Sequence, residues 1–465
     1  MLKQSLSPPS GTRDFLPREA RRRQLLITRV RAIFERFGFQ PIETPAFERL
    51  ETLLGKYGAD GDQLIFRLLH RGEKLSRVLA AAPIHEENLA EFGLRYDLTV
   101  PLARIIASYR SELPPGYFKR YQIAPVWRAD RPAKGRFREF TQCDIDFIGT
   151  TSVIAEVEVL NALNDALMAI GLTDFQVRVN HRDLLFALVN HAGVPNHRSA
   201  EAIMILDKLD KIGKEAAMEE FDRQQLLPAK TFARIVDEWH TRQQQYPSLT
   251  SFLAASFRDP TSSKDLNSID LSTVFLTAEE FEKLIQPGTN LRNKIIHDPF
   301  LARGLTYYTG LIFEIVIPGF PGSIAAGGRY DNLIGTLAGQ SIPAVGGSLG
   351  FDRIFALMDE RGLFSTDPLH AVDVLLIHFA DTVTAALGVT RQLRSAGIAA
   401  ELYPDPDKPA KQFKTANDRG IPFVLVLGTD EVAANGVTLK QMQTGNQERV
   451  SLETAIERIK SEKSH

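Results

Sequence analysis

Between Lys119 and Gly149 the chain reads KRYQIAPVWRADRPAKGRFREFTQCDIDFIG, a basic run that gives way to a strand-like segment carrying Asp144 and Asp146. Seven of the residues from Lys119 to Arg138 are Lys or Arg, against the single acid Asp130, whereas the whole chain holds 55 basic and 57 acidic residues. The positive charge is local and asks for a local partner. Arginines on rigid strands can hold a polyphosphate, because a guanidinium keeps its charge and offers forked, planar hydrogen bonding to phosphate oxygens. Arg128, Arg136 and Arg138 fit that use. Two-residue alternation predicts that Arg136, Arg138 and Phe140 share one face of their strand, two cations beside a ring on which a base could stack. The carboxylates that follow suit a cationic group. The same run also reads as a solvated basic edge strand that resists aggregation.

Other segments test rival chemistries. The usual phosphate loop ending in Gly-Lys-Ser or Gly-Lys-Thr is missing, since Gly55-Lys56 is followed by Tyr57 and Gly213-Lys214 by Glu215, so any nucleotide is held otherwise. Gly346-Gly347-Ser348-Leu349-Gly350 matches the pattern of a hydrolase nucleophile elbow. An elbow serine follows a buried central strand, which Pro343 opposes, so the segment is read as a glycine-rich turn that brings Arg353 into a site. In Arg303-Gly304-Leu305-Thr306-Tyr307-Tyr308-Thr309-Gly310 a lone arginine among small and aromatic residues must find an anion or stay wet; the bland reading is two core tyrosines beside an exposed arginine. No HExxH or paired-histidine spacing supports a dedicated metal site.

The elements that position these residues follow from periodicity. Leu25, Leu26, Val30, Ile33, Phe34 and Phe37 recur at helical spacing over Glu19 to Phe37, and Gly38 ends that helix. Pro41 and Pro45 make Phe39 to Pro45 extended. Leu64 to Leu69 reads as a strand, and Asp97 to Ser108 as a helix starting near Pro101. Tyr117 to Arg128 and Phe137 to Phe147 form an antiparallel hairpin around the turn-rich Ala129 to Gly135. From about Asp183 to Pro287 the chain is charged and helical, as in ILDKLDKIG with Ile205, Leu209 and Ile212. Strand character resumes at Leu311 to Ile317, before a glycine-rich turn at Gly327 and Gly328. Asp359 to Pro368 reads as a linker. Strands at Val372 to Phe379, Ala399 to Tyr403, Phe423 to Gly428 and Val437 to Gln443 then mix with helices at Thr382 to Ser395, Pro409 to Arg419 and Leu452 to Ile459, the pattern of a compact α/β domain.

Composition bounds the rest. At 465 residues more than one core is expected, and no apolar run approaches the ~20 residues of a bilayer-spanning helix. The only cysteine, Cys143, excludes an internal disulfide and a cysteine-based zinc cluster. We expect a cytoplasmic protein with no membrane attachment. A net charge of −2 argues against a general duplex-DNA coat, yet leaves room for one basic face.

Taken in order, these segments resemble the class II aminoacyl-tRNA synthetases, and among them the histidyl-tRNA synthetase family. GTRDFLP at Gly11 to Pro17 resembles that family's N-terminal signature, and FGFQPIETP at Phe37 to Pro45 the first class motif, which in the family forms the dimer interface. RYDLTVPLAR from Arg95 and the hairpin from Arg120 to Phe147 resemble the second motif and its surroundings, nearer the eukaryotic-type pattern. LARGLTYYTG at Leu301 and AAGGRYDNL at Ala325 resemble the two histidine-specific motifs, and GGSLGFDR, ending at Arg353, the third class motif. DKLDK at Asp207 to Lys211 resembles the helical insertion, and KQFKTANDRGIPFVLVLG at Lys411 to Gly428 the anticodon-binding domain.

The resemblance implies an α+β fold: an antiparallel sheet flanked by helices in residues 1–182 and 289–362, a helical insertion at 183–288, a linker at 363–370 and an α/β anticodon-binding domain at 371–465. It implies activation of L-histidine by ATP, with Mg2+ as part of the substrate complex and no resident metal or prosthetic group, followed by transfer to the 3′ end of tRNA(His) by a homodimer. By similarity Arg128 grips the α-phosphate, Arg136 and Arg353 the outer phosphates or the adenine face, Asp130 assists an adenine contact, and Phe140 stacks on adenine. Arg303 would face the substrate carboxylate and α-phosphate. Asp97, Thr99 and Gln142 resemble the ammonium-binding set, and Asp146 and Tyr308, with Tyr307 and Tyr330, the readers of the imidazole. Two positions depart from the pattern: Thr306 stands where the family more often has Asp, and Asp130 where the class commonly has Glu. The alternative within the same fold is the synthetase-like regulatory subunit of histidine biosynthesis, which binds histidine without charging tRNA. Those proteins typically lack the C-terminal domain and parts of the arginine set, all of which are present here.

Overall fold

The computed structural model describes residues 6–56, 61–81, 83–133, 135–257, 269–285, 291, 294–303, 307–364 and 372–463. Two compact units emerge, one of Met1–Asp14 with Arg23–Leu363 and the other of Phe15–Arg22 with Phe364–His465. Most of the linker expected at 363–370, Thr306, and Lys134 in the hairpin loop lie outside the described residues.

Strands of the larger unit are, in chain order, β1 (Gln40–Pro41), β2 (Phe47–Arg49), β3 (Arg67–Leu69), β4 (Ala90–Leu94), β5 (Phe118–Trp127), β6 (Glu139–Ile148), β7 (Gln176–His181), β8 (Ile295–His297), β9 (Leu311–Val316), β10 (Ser323–Arg329) and β11 (Ala344–Gly350). Among the described residues, eight of them form one sheet in the order β1-β5-β6-β11-β10-β9-β7-β8. The six inner strands pair antiparallel throughout, and only the short edge strands β1 and β8 pair parallel. A second, three-stranded antiparallel sheet has the order β2-β4-β3. Pro41 fits β1 because an edge strand can leave one nitrogen without a donor.

Alternation along β6 sorts its two faces. Cys143, Ile145 and Phe147 are buried in the apolar core, while Gln142, Asp144 and Asp146 face the other way into a cavity. The back of the sheet is closed by a helix at Ile154–Ala169, whose buried face includes Val159, Leu160, Leu163 and Leu167 while Ile154 is exposed. A side chain at Gly347 would come within 2.7 Å of Leu163 on that helix, so the missing Cβ is what lets helix and strand approach. Helices at Arg182–His191, Ser199–Leu206, Leu209–Arg223, Ala229–Gln245, Leu249–Ser256 and Leu271–Ile285 occupy the interval expected to be helical.

Four expectations require correction. Neither Gly327-Gly328 nor Gly346-Gly347 is a turn: the first pair lies inside β10 and the second inside β11, with Gly327 paired to Gly347 and Gly328 to Gly346. Glycine there answers to crowding rather than to chain reversal, since a Cβ on Gly327 would meet the Gly346 carbonyl oxygen at 2.1 Å. Asp359 and Glu360 continue the helix Phe351–Glu360 rather than opening a linker. Arg136 and Arg138 precede β6, which starts at Glu139, so strict alternation does not govern them.

The smaller unit carries β12 (Val374–His378), β13 (Ala400–Leu402), β14 (Phe423–Leu427), β15 (Val437–Gln441) and β16 (Gln447–Val450) in the order β13-β12-β14-β15-β16. The first three are parallel and the last two antiparallel additions. Val374 and Leu376 pack on one face with Leu393, Ala455 and Ile459, and Leu375 and Ile377 on the other with Ala416 and Ile421. Burial on both faces is why these strands read as unbroken apolar runs. Sequence periodicity missed β16 and the short helix Thr429–Ala433.

Candidate active site

A cavity of about 1190 Å3 opens on the face of the large sheet that carries Gln142, Asp144 and Asp146. Asp97, Thr99, Arg128, Asp130, Arg136, Phe140, Gln142, Asp146, Arg303, Tyr307, Tyr308, Tyr330 and Arg353 all line it, although they come from segments more than 250 residues apart. Arg138 does not. Its Nε donates to the Asp130 carbonyl at 3.1 Å and its Nη1 to the Ser10 carbonyl at 3.3 Å, so it ties the N-terminal segment to the hairpin.

One wall is cationic. Arg128 leaves the end of β5 with its guanidinium 4.2 Å from the centre of the Tyr96 ring and 5.1 Å from that of Phe140, and its Nε donates to the Tyr96 carbonyl at 3.2 Å. Arg136 reaches Asp130 at 2.6 Å, an ion pair with the arginine half exposed and the acid buried, and this contact raises the Arg136 pKa. Arg353 sits on the first turn of the helix Phe351–Glu360 and donates to the Ser323 carbonyl at 2.8 Å. Burial draws the Arg353 pKa down, and Arg128, Arg136 and Arg303 add to that while Glu314 opposes it. Guanidinium groups that disfavour one another's charge form a site that gains when an anion arrives.

The opposite part of the cavity is acidic and aromatic. Asp146 lies 2.6 Å from Arg120, and its other oxygen accepts from the Tyr330 hydroxyl. Burial raises the Asp146 pKa, against the pull of Arg120 and Tyr330. Asp144 beside it is pushed up to about 7, again by burial. Asp97 accepts from the Val100 amide at 3.0 Å at the start of the helix Thr99–Tyr109, in whose first turn Thr99 stands. Tyr307 and Tyr308 pack with ring centres 4.9 Å apart, and Tyr307 meets Tyr330 edge-on at 5.9 Å. Arg303 finds its anion in Glu314 of β9, which it contacts directly. Burial works against the Arg303 charge, but Glu314 and Tyr308 outweigh it and hold the pKa up. Its Nε is buried without a hydrogen-bond partner.

Several contributors had escaped the sequence reading. Glu314 is the one polar position in the otherwise apolar strand Leu311–Val316. Arg120 belongs to the basic run, yet its side chain is 0 % exposed and neutralises Asp146. Asp352 accepts from Arg13 and Arg23, each at 2.6 Å, and from the Thr141 amide at 2.7 Å, fixing the helix start that presents Arg353. Only their pairing, which needs coordinates, marks these residues out.

Residues 11–354 match a family model described as histidyl-tRNA synthetase, and residues 371–462 one described as an anticodon binding domain. A histidine–tRNA ligase of Cytophaga hutchinsonii is 40 % identical over 471 residues, covering 97 % of this chain and 99 % of its own. That of Gloeobacter violaceus is 38 % identical over 488 residues, covering 97 % of each. Among solved structures, the histidyl-tRNA synthetase of Nostoc sp. PCC 7120 superposes with a TM-score of 0.77 at 30 % identity, over 99 % of this chain and 100 % of the other. A Bacillus halodurans protein described as an ATP phosphoribosyltransferase regulatory subunit/histidyl-tRNA synthetase shares the fold, with a TM-score of 0.70 at 20 % identity over 92 % of this chain and 99 % of the other. These relatives are bacterial, and they lend no support to nearness to the eukaryotic-type pattern.

Proposed function

The chain belongs to the histidyl-tRNA synthetase family, and from that premise we propose how its cavity joins histidine to ATP and then to tRNA. It is a histidine–tRNA ligase: histidine and ATP give histidyl-adenylate and pyrophosphate, and the histidyl group then passes to the 3′ end of tRNA(His). Mg2+ enters with ATP as part of the substrate.

No protein nucleophile is required, so rate comes from alignment and from charge. A carboxylate and a phosphate oxygen brought to 4 Å repel by about 4 kcal/mol at an effective dielectric of 20. Arg128 on one side and Arg303 on the other offset that repulsion, the substrate carboxylate supplying a partner for the Arg303 Nε. Arg136 and Arg353 hold the outer phosphates, Phe140 stacks on adenine, and Asp130 keeps Arg136 in register. Asp97, Thr99 and Gln142 take the ammonium group, while Asp146, Tyr307, Tyr308 and Tyr330 read the imidazole. A site that hydrogen-bonds its substrate this fully rejects analogues lacking a group by ~10⁴.

Residues 371–465 serve as the anticodon-binding domain and 183–288 as an insertion within the catalytic domain, the enzyme working as a cytoplasmic homodimer. The observation that carries this reading is the convergence of Arg128, Arg136, Arg303 and Arg353 on one cavity with the acid and tyrosine set. That complete arginine set and the residues matched at 371–462 favour it over the regulatory subunit. Charging of tRNA assayed with all twenty amino acids should respond to histidine alone. Binding of ATP and histidine without pyrophosphate exchange or charging would instead favour the regulatory role.

A further inference from the structure

Ser348, the serine of the Gly-x-Ser-x-Gly run, has no place in the chemistry above, yet it stands in the cavity wall. In the pairing of β11 with β6 it lies directly opposite Asp144, with Gly350 opposite Gln142 and Gly346 opposite Asp146. Gln142 Nε2 donates to Ser348 Oγ at 3.1 Å, and Asp144, which is 3 % exposed, faces the same cavity across the strand pair. Gln142 Oε1 is buried and has no hydrogen-bond partner.

A hydroxyl carries one proton and can both accept and donate, whereas a carboxylate only accepts. Ser348 offers Gln142 a lone pair and binds the amide nitrogen, which leaves its own proton free to turn toward the Asp144 side of the cavity. The amide then has a single polarity: nitrogen toward β11 and oxygen left over as an acceptor. An unpartnered buried acceptor is costly until something donates to it. The donor that suits it is an ammonium group; a flipped amide would present N–H to N–H.

We propose that Ser348 is a positioning residue that fixes the polarity of the Gln142 amide and thereby makes the site select a substrate carrying an ammonium group. This inference rests on the reading of the cavity as the histidine site. It gives the serine a role in recognition rather than in attack, and it explains why β11 carries a single small polar side chain between Gly346 and Gly350.

The test compares L-histidine with 3-(imidazol-4-yl)propionate, which keeps ring and carboxylate but lacks the ammonium group. In Ser348→Ala the KM for L-histidine in pyrophosphate exchange should rise about tenfold, the worth of one well-placed hydrogen bond. The KM for ATP and the inhibition constant of the propionate should stay within about twofold. Ser348→Thr, with a hydroxyl on the same carbon, should keep the histidine KM within about threefold of wild type. The inference is overturned by an unchanged histidine KM in Ser348→Ala, by equal weakening of histidine and the propionate, or by a threonine variant as impaired as the alanine one. A wild-type chain without histidine-dependent exchange would defeat the reading of the cavity and the inference together. An active wild type with any of those variant results defeats the inference alone.

Discussion

Arg120 on β5 and Asp146 on β6 are direct cross-strand partners, Nη2 to Oδ2 at 2.6 Å, with their side chains 0 % and 3 % exposed. The pair is a buried charge beneath the cavity, and the Tyr330 hydroxyl holds the second carboxylate oxygen. Removing one partner from such a pair leaves the other uncompensated. Arg120→Met should therefore cost about 3–5 kcal/mol, read as a lower midpoint in denaturant at unchanged slope.

Arg303→Ala should lower the rate of histidine-dependent pyrophosphate exchange by about 10²–10³ while the circular dichroism spectrum stays that of the wild type. Glu314→Gln keeps the guanidinium and removes the acid that it contacts, so its loss should be smaller. Near-full activity of Arg303→Ala would mean that this arginine does not face the reacting groups.

A methyl group at Gly346 would lie 1.9 Å from Asp146 Oδ1. Such overpacking typically costs 1–3 kcal/mol, so Gly346→Ala should reduce kcat/KM for histidine roughly tenfold to a hundredfold, mostly through KM. Gly388, inside the helix Val383–Ser395 with nothing within 4 Å of an added Cβ, is the matched control. Gly388→Ala should stabilise by about 0.4–1 kcal/mol.

Asp144 titrates at about 7 in the folded chain because burial disfavours its charge, with Arg120 pulling the other way and Asp146 and Asp97 adding to the rise. In the unfolded chain an aspartate titrates near 4. Its folded pKa is raised, so the stability that it contributes is complete below about 4 and is lost as pH climbs through about 7. The steepest slope for one proton is about 1.4 kcal/mol per pH unit. Asp144→Asn should remove this component: its stability relative to wild type should improve between pH 5 and pH 8 in denaturant melts. A difference independent of pH would show that Asp144 stays ionised throughout.

Legibility followed the kind of signal each residue leaves. The hairpin of β5 and β6 announced itself through charge contrast and alternation, and the smaller unit through apolar runs bounded by turns. The helix Ile154–Ala169 leaves little periodic trace because Glu156 and Asn164 lie on its buried side while Ile154 is exposed, and β11 reads as a turn because its glycines record close packing rather than backbone freedom. Residues that would touch ligands were readable by type and by resemblance. Those that act by pairing with another side chain, such as Arg120, Glu314, Asp352 and Ser348, were not, since pairing across strands is a property of register and no local spacing encodes it.

The floor formed by Gly346 and Ala326, on the cavity face of the sheet, has a directional consequence for any remodelling of this cavity. These positions already carry the least matter a residue can hold or one methyl more, so nearly every substitution there subtracts room and almost none can add it. Enlargement is open where Tyr307, Tyr308 and Tyr330 have atoms to give up. Variants selected for a bulkier amino acid should therefore accumulate at the tyrosines and leave the floor untouched.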